Sequence, residues 1–165
     1  MTEDKVVLIM GSGSDEAFSL DIEVALKGFD VKYEVRVASA HKTPKKLLKL
    51  LEEYEASGDR IVYITVAGRS NALSGFVDAN SVHPVIACPP YSPKFSGADL
   101  HSSLRMPSGV CPLVVLEPAS AALAAIKILG LGNTRLEEGI RIQQQRNRGR
   151  VEDADERLRL SRGGS

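Results

Sequence analysis

Val6-Val7-Leu8-Ile9-Met10 runs without a break into Gly11-Ser12-Gly13-Ser14-Asp15. A continuous apolar run of strand length suits a strand buried on both faces, as in a parallel sheet covered by helices. The Gly/Ser turn is followed by Phe18, Ile22, Ala25, Leu26 and Phe29, spaced as one face of a helix. Working outward, the pattern repeats. Val31–Val37 alternates as a second strand, and Thr43-Pro44 opens a second helix with a threonine N-cap and proline at its first position. Leu47, Leu50, Leu51 and Tyr54 supply that helix's buried face, and Ser57-Gly58-Asp59 ends it. Ile61–Val66, Pro84–Ala87 and Leu113–Leu116 read as three further strands, with a helix over Ala98–Arg105 between the last two. Such alternation predicts βαβ units, a parallel sheet and right-handed crossovers. The expected architecture is an α/β three-layer α-β-α sandwich with a flavodoxin-like parallel sheet.

Two segments fall outside this rhythm. Ala119–Leu129 is apolar nearly all round, with Ser120 and Lys127 its only polar members, so it needs cover on several sides. A neighbouring subunit is the expected cover. From Thr134 the chain turns charged, with Arg141, Arg146, Arg148 and Arg150 among acids. This reads as a C-terminal helical extension interrupted near Gly149, packed on the core or a partner, or else solvated and frayed. All of 1–165 is expected to form a single catalytic domain, with an α/β core over 1–133 and the extension over 134–165.

Composition narrows the function classes. The chain has 165 residues, 43% of them apolar, and no apolar run of membrane-spanning length. Twenty-one basic residues balance 21 acidic ones, against the basic excess of a nucleic-acid binder. No signal-peptide pattern opens the sequence, so a cytoplasmic location is expected. Cys88 and Cys111 form no C-x-x-C and read as buried thiols in a reducing compartment. His41, His83 and His101 are widely separated, so no metal is expected.

In parallel α/β sheets, ligands bind outside the carboxyl ends of the strands. The first such loop, Gly11–Asp15, combines close-approach glycines, serine donors and a helix N-terminus, which together favour a phosphate. Glu16 occupies the third glycine position of a dinucleotide fingerprint, and there is no Gly-Lys-Ser/Thr, so neither NAD nor ATP is indicated. The alternative is a tight turn before an Asp-capped helix. His41, after the second strand, is a candidate proton-transfer group paired with Lys42 for an anion, or a surface histidine near a helix start. Arg69, after the third strand, is a phosphate or carboxylate ligand or a solvated charge. Asn71, Asp78 and Asn80 read as turn or cap residues.

Taken in order, Gly11-Ser12-x-Ser14-Asp15, Ser39-Ala40-His41-Lys42, Ala67-Gly68-Arg69-Ser70-Asn71, Cys88-Pro89-Pro90 and Ser102-Ser103-Leu104-Arg105-Met106-Pro107-Ser108-Gly109 resemble the class II aminoimidazole ribonucleotide carboxylases of purine biosynthesis, from about Val6 to Leu131. The class I relatives, which isomerise the N5-carboxylated ribonucleotide, usually carry arginine at Lys42, an alanine-alanine-histidine segment near Ser70 and Asn71, and glutamine at Arg105. On all three points this sequence sides with class II. The resemblance implies ATP-independent carboxylation of aminoimidazole ribonucleotide by carbon dioxide, no cofactor, and a tetrameric or octameric homo-oligomer. It implies that Gly11, Ser12, Ser14 and Asp15 hold the ribose phosphate end beside Ser39 and Lys42, and that His41 transfers the proton. It also implies that Gly68, Arg69, Ser70 and Asn71 line the class-distinguishing region and that Arg105 faces the nucleotide. The rival readings are the class I mutase, a carboxylase of a pyridine nucleotide with related loops, and a non-catalytic phosphate-binding module. For the carboxylation of aminoimidazole ribonucleotide, Cys88-Pro89-Pro90 would help close a dry pocket for the small apolar gas.

Overall fold

Leu8, Ile9, Val62 and Ile64 are wholly buried because strands β1 (Asp4–Met10) and β3 (Arg60–Val66) pair in register at the centre of a sheet covered on both faces. The structure, a computed structural model, describes residues 2–163; the ends of the 1–165 span, residues 1, 164 and 165, lie outside the described residues. Strand β2 (Lys32–Val37) flanks β1, while β4 (Val85–Ala87) and the two-residue β5 (Leu113–Val114) continue beyond β3. All pairings are parallel, in the order β2-β1-β3-β4-β5. This is the flavodoxin-like order expected from the sequence.

Alternate residues of each central strand serve opposite layers. Val6, Leu8, Met10, Val62, Ile64 and Val66 pack with helices α1 (Glu16–Lys27) and α5 (Pro118–Gly130) through Ile22, Leu26, Ala122 and Ile126. Val7, Ile9, Ile61 and Tyr63 face α2 (Pro44–Ser57) and α3 (Ala72–Ala79) through Leu47, Leu51, Leu73 and Val77. Each fully buried aliphatic side chain contributes about 1.5–3 kcal/mol by leaving water. Truncating Ile64 to alanine would cost about 2–5 kcal/mol, because this two-sided core cannot collapse around the void.

Several expectations are corrected. The α3 helix was not foreseen; Asn71 is its N-cap and accepts from the Ser74 N–H at 3.1 Å. The helix expected over Ala98–Arg105 is a 3-10 turn (Ala98–Leu100) followed by a single turn, α4 (His101–Leu104). Helix α6 (Thr134–Arg162) runs through Gly149 without interruption. One glycine costs about 1 kcal/mol in a helix, and the good helix formers on either side outweigh it. The apolar α5 finds its cover chiefly within the chain, between the sheet, α1 and the first turns of α6, where Leu136 is buried and Ile140 joins the core. Cys88 is buried as expected, whereas Cys111 is exposed, beyond the edge of the core.

The amino end of the sheet is closed by charge pairs. Arg60 grips Asp4 through Nε and Nη2 at 2.7 and 2.8 Å and donates from Nη1 to the Gly132 carbonyl at 3.1 Å. Asn133 donates to the same Asp4 carboxylate at 2.6 Å while its own oxygen caps α6. Lys5 lies 3.0 Å from Glu34 and 3.2 Å from Asp59. Tyr54 donates to Glu34 at 2.7 Å, and that hydrogen bond with the Lys5 partner holds the Glu34 carboxyl below the usual carboxylate range. No helix among the described residues is long and apolar enough to cross a membrane.

Candidate active site

The chain leaves β1 toward β2 on one side and β3 toward β4 on the other, so the loops after β1 and β3 part and open a crevice at the carboxyl end of the sheet. A cavity of about 610 Å³ occupies it. Gly11 begins the first wall. Its N–H donates to the Val66 carbonyl at 2.8 Å, and a side chain there would press within 3.3 Å of Ala67 Cβ. Ser12 and Ser14 follow on a 3-10 turn, with the Ser12 hydroxyl accepting from the Ser14 N–H at 3.2 Å and from its hydroxyl at 2.9 Å.

Asp15 sits at the N-cap of α1 but makes no side-chain capping bond, so the Asp-capped-helix reading of this loop does not hold. Burial pushes the Asp15 carboxyl up, against an opposing backbone hydrogen bond with Ser12. A partly desolvated carboxylate without a capping duty has acceptor capacity to spare for a hydroxyl donor.

The second wall is the turn Ser39–Thr43. Thr43 stands at the N-cap of α2, yet its hydroxyl does not cap that helix. It accepts from the Ser39 N–H at 2.9 Å and donates back to the Ser39 carbonyl at 3.3 Å, while the Ser39 hydroxyl accepts from the Lys42 N–H at 3.2 Å. The turn is closed on itself and presents His41 and Lys42 at its apex, both exposed. Among the described residues nothing hydrogen-bonds the His41 ring, leaving both nitrogens available for a substrate.

Gly68, Arg69 and Ser70 form the third wall, and Pro90, Tyr91 and Ser92 the fourth. Arg69 adopts φ 60°, the left-handed region that a branched or long side chain seldom enters. Its N–H donates to Asp99 Oδ2 at 3.1 Å. Among the described residues, no carboxylate lies within ion-pair distance of Lys42 or Arg69. With Asp15 as the one acid in the lining, the cavity carries a local basic excess suited to an anion. No cluster of three His, Cys, Asp or Glu side chains among the described residues could hold a metal ion.

The structure therefore brings together Gly11, Ser12, Ser14, Asp15, Ser39, His41, Lys42, Gly68, Arg69 and Ser70. It does not bring Asn71 and Arg105 with them. Both line a second cavity of about 340 Å³, which meets the first at Ser70. Asn71 is buried and spends its side chain on the Ser74 N–H and on Ser103 Oγ at 2.9 Å, so it shapes the loop and does not face the first cavity. Tyr91, Ser92 and Asp99 were not anticipated. The only sequence sign of the first two was their position directly after Cys88-Pro89-Pro90.

A five-stranded sheet of this order, with a phosphate-type loop at the switch point and a basic crevice beside it, defines a flavodoxin-like α/β protein whose crevice suits a phosphorylated small molecule. A model of the AIR carboxylase family matches residues 5–150, and the chain belongs to that family. It is 53% identical over 155 residues to the phosphoribosylaminoimidazole carboxylase of Archaeoglobus fulgidus, covering 94% of this chain and 85% of that protein. It is 45% identical to the phosphoribosylaminoimidazole carboxylase of Treponema denticola, covering 93% of this chain and 97% of that one. The crystal structure of Treponema denticola PurE superposes with a TM-score of 0.92 at 44% identity, covering 94% of this chain and 98% of the other.

Proposed function

We propose that this chain is a phosphoribosylaminoimidazole carboxylase, joining carbon dioxide to C4 of aminoimidazole ribonucleotide without ATP, in the synthesis of purines. The observation that carries the reading is one cavity lined at once by the Gly11–Asp15 loop, the His41–Lys42 turn and the Arg69 loop. Ser12, Ser14 and the neighbouring backbone N–H groups suit the phosphate, and Asp15 suits the ribose hydroxyls, which need an acceptor. Holding the phosphate end fixes the imidazole relative to His41 and lowers the entropic part of the barrier.

C4 of the substrate is the carbon end of an enamine. Its electron pair forms the new bond to the carbon of CO2, and one C=O π pair moves onto oxygen to give a carboxylate. C4 then carries both the carboxylate and a hydrogen. A neutral His41 takes that hydrogen as a proton, and the C–H pair returns to the ring and restores its aromaticity. Lys42 and Arg69 provide positive charge where negative charge grows on the incoming carboxylate, and Leu73 and Pro90 add an apolar stretch to the lining. No activated carboxyl carrier is required.

Lys42, Arg69 and Ser70 support direct use of CO2 over isomerisation of the N5-carboxylated ribonucleotide. Arg105, the third residue on which the sequence sides with direct carboxylation, lines the second cavity, which adjoins the first at Ser70. The test is to supply aminoimidazole ribonucleotide with bicarbonate and no ATP and to follow product absorbance. C4-carboxylated product should form, and carbonic anhydrase should speed the start of turnover, because dissolved gas is the substrate. Efficient conversion of the N5-carboxylated isomer with negligible use of CO2 would move the protein to the mutase reading.

The same reading has 1–165 acting as one catalytic unit in the cytoplasm, as a tetramer or octamer. The exposed apolar residues Leu131 on the α5–α6 turn and Val151, Leu158 and Leu160 on α6 support self-association. Light scattering at micromolar concentration should report a multiple of the 17.8 kDa chain, and a monomer would contradict it.

A further inference from the structure

Arg69 holds a backbone conformation that only strong local restraint maintains in a residue with a long side chain. The restraint comes from one short segment about thirty residues downstream. Asp99 Oδ2 accepts the Arg69 N–H at 3.1 Å, a hydrogen bond strengthened by the carboxylate charge. Ser102 Oγ accepts the Asn71 N–H at 3.0 Å, and its single hydrogen is shared between the Asp99 carbonyl at 2.7 Å and the Arg69 carbonyl at 3.2 Å. Both backbone groups of Arg69 are thus addressed by the turn that begins at Ala98. The turn carrying Asp99 opens at Gly97, whose φ of 77° favours glycine and where a side chain would press to 3.0 Å from Tyr91 Cε2. Tyr91 in turn lines the cavity beside Arg69. Asp99 Oδ1 is shut off from solvent with no hydrogen-bond partner among the described residues. A carboxylate half-satisfied in this way is costly, and apolar packing or a neutral side chain would serve a purely structural turn better.

We infer that Asp99 is the positioning residue for Arg69: its carboxylate fixes the left-handed backbone that delivers the Arg69 side chain to the substrate cavity. This rests on the reading of Arg69 as a substrate-facing cation. The experiment is a double-mutant cycle between Asp99→Ala and Arg69→Gly, with Asp99→Asn as the conservative variant, read as kcat/KM on the intact protein alongside thermal unfolding. Glycine adopts the left-handed conformation freely, so Arg69→Gly removes the guanidinium without opposing the backbone. Asp99→Ala should lower kcat/KM roughly tenfold in the natural background and by less than about twofold in the Arg69→Gly background. Asp99→Asn retains an oxygen to accept the Arg69 N–H and should recover activity to within about threefold of the natural protein. Equal losses from Asp99→Ala in both backgrounds, or an Asp99→Asn variant as impaired as the alanine, would overturn the inference while leaving Arg69 in the site. An Arg69→Gly variant with full activity would overturn both the inference and the reading of Arg69 beneath it. Should Asp99→Ala fail to fold, Asp99→Leu, similar in volume and without an acceptor, takes its place in the same cycle, with the same losses expected in the two backgrounds and the same outcomes overturning the inference.

Discussion

The two ends of one parallel sheet hold their charges in opposite conditions. At the amino end Asp4, Arg60, Lys5, Glu34 and Asp59 are bound to one another, and Asp4 is further held by Asn133 from the start of α6. At the carboxyl end His41, Lys42 and Arg69 face a cavity without a carboxylate partner, beside an Asp15 carboxyl that burial has pushed up. The same residue types do both jobs. What separates them is whether their partner is supplied by the chain or has to arrive from solution. Unpaired charge in a crevice is electrostatic energy held for a ligand, whereas paired charge is spent on folding.

Substitutions at the two ends should therefore fail in different assays. The largest expected effect is at His41. His41→Asn should reduce kcat by about 10²–10⁴-fold with the melting temperature little changed, because the ring is exposed and unbonded; near-normal turnover would remove His41 from the mechanism. Next comes Lys42→Ala, expected to raise the nucleotide KM about tenfold and to weaken its dependence on salt, measured from 50 to 300 mM (about a twofold change in Debye length). At the other end the currency changes. Asp4→Ala should cost about 2 kcal/mol, or about 4–8 °C in melting temperature, with kcat/KM held within about twofold. An activity loss without a stability loss there would erase the contrast between the two ends.

The smallest effect is a matter of pH. Since the folded-state pKa of Glu34 is lowered, its contribution is complete above the usual carboxylate range and is lost as pH falls through the lowered value. Glu34→Gln should thus destabilise by about 1 kcal/mol or less at pH 7, the group being partly solvent-screened, and the gap to the natural protein should close below about pH 4. A gap that persists in acid would assign the effect to packing.

How far the sequence disclosed all this depends on the range over which each feature is determined. Val6–Met10 and the stripe from Phe18 to Phe29 are local patterns imposed by burial, and they led directly to the sheet, its class and its ligand-binding end. The loops Gly11–Asp15, Ser39–Lys42 and Gly68–Ser70 were legible because each directly follows such a strand. The short α3 escaped because eight residues between Asn71 and Asn80 carry too few turns for a periodicity, and both asparagines double as turn formers. That Asn71 and Arg105 line a second, adjoining cavity was not legible, because their surroundings depend on the path of the chain from Cys88 to Val110, which no local pattern fixes. Asp99 was invisible for the same reason. Its partner is a backbone N–H, which leaves no trace in side-chain identity. The outer cover of α5 was sought in another subunit because Leu136 and Ile140 stand out poorly in so charged a segment.

The two thiols extend the contrast between sealed and open parts of the molecule into practical chemistry. Cys88 is wholly buried, and burial pushes its thiol up to about 12, so at neutral pH it is a spectator to electrophiles. Cys111 is exposed, and its N–H is anchored to Asp78 at 2.8 Å, one residue along from Val110 in the lining of the second cavity. An alkylating reagent thus meets a single accessible thiol in each chain, on a fixed backbone, beside the wall that holds Arg105. A fluorophore or spin label written at that address, with no residue changed, would sense whatever comes to rest against that wall.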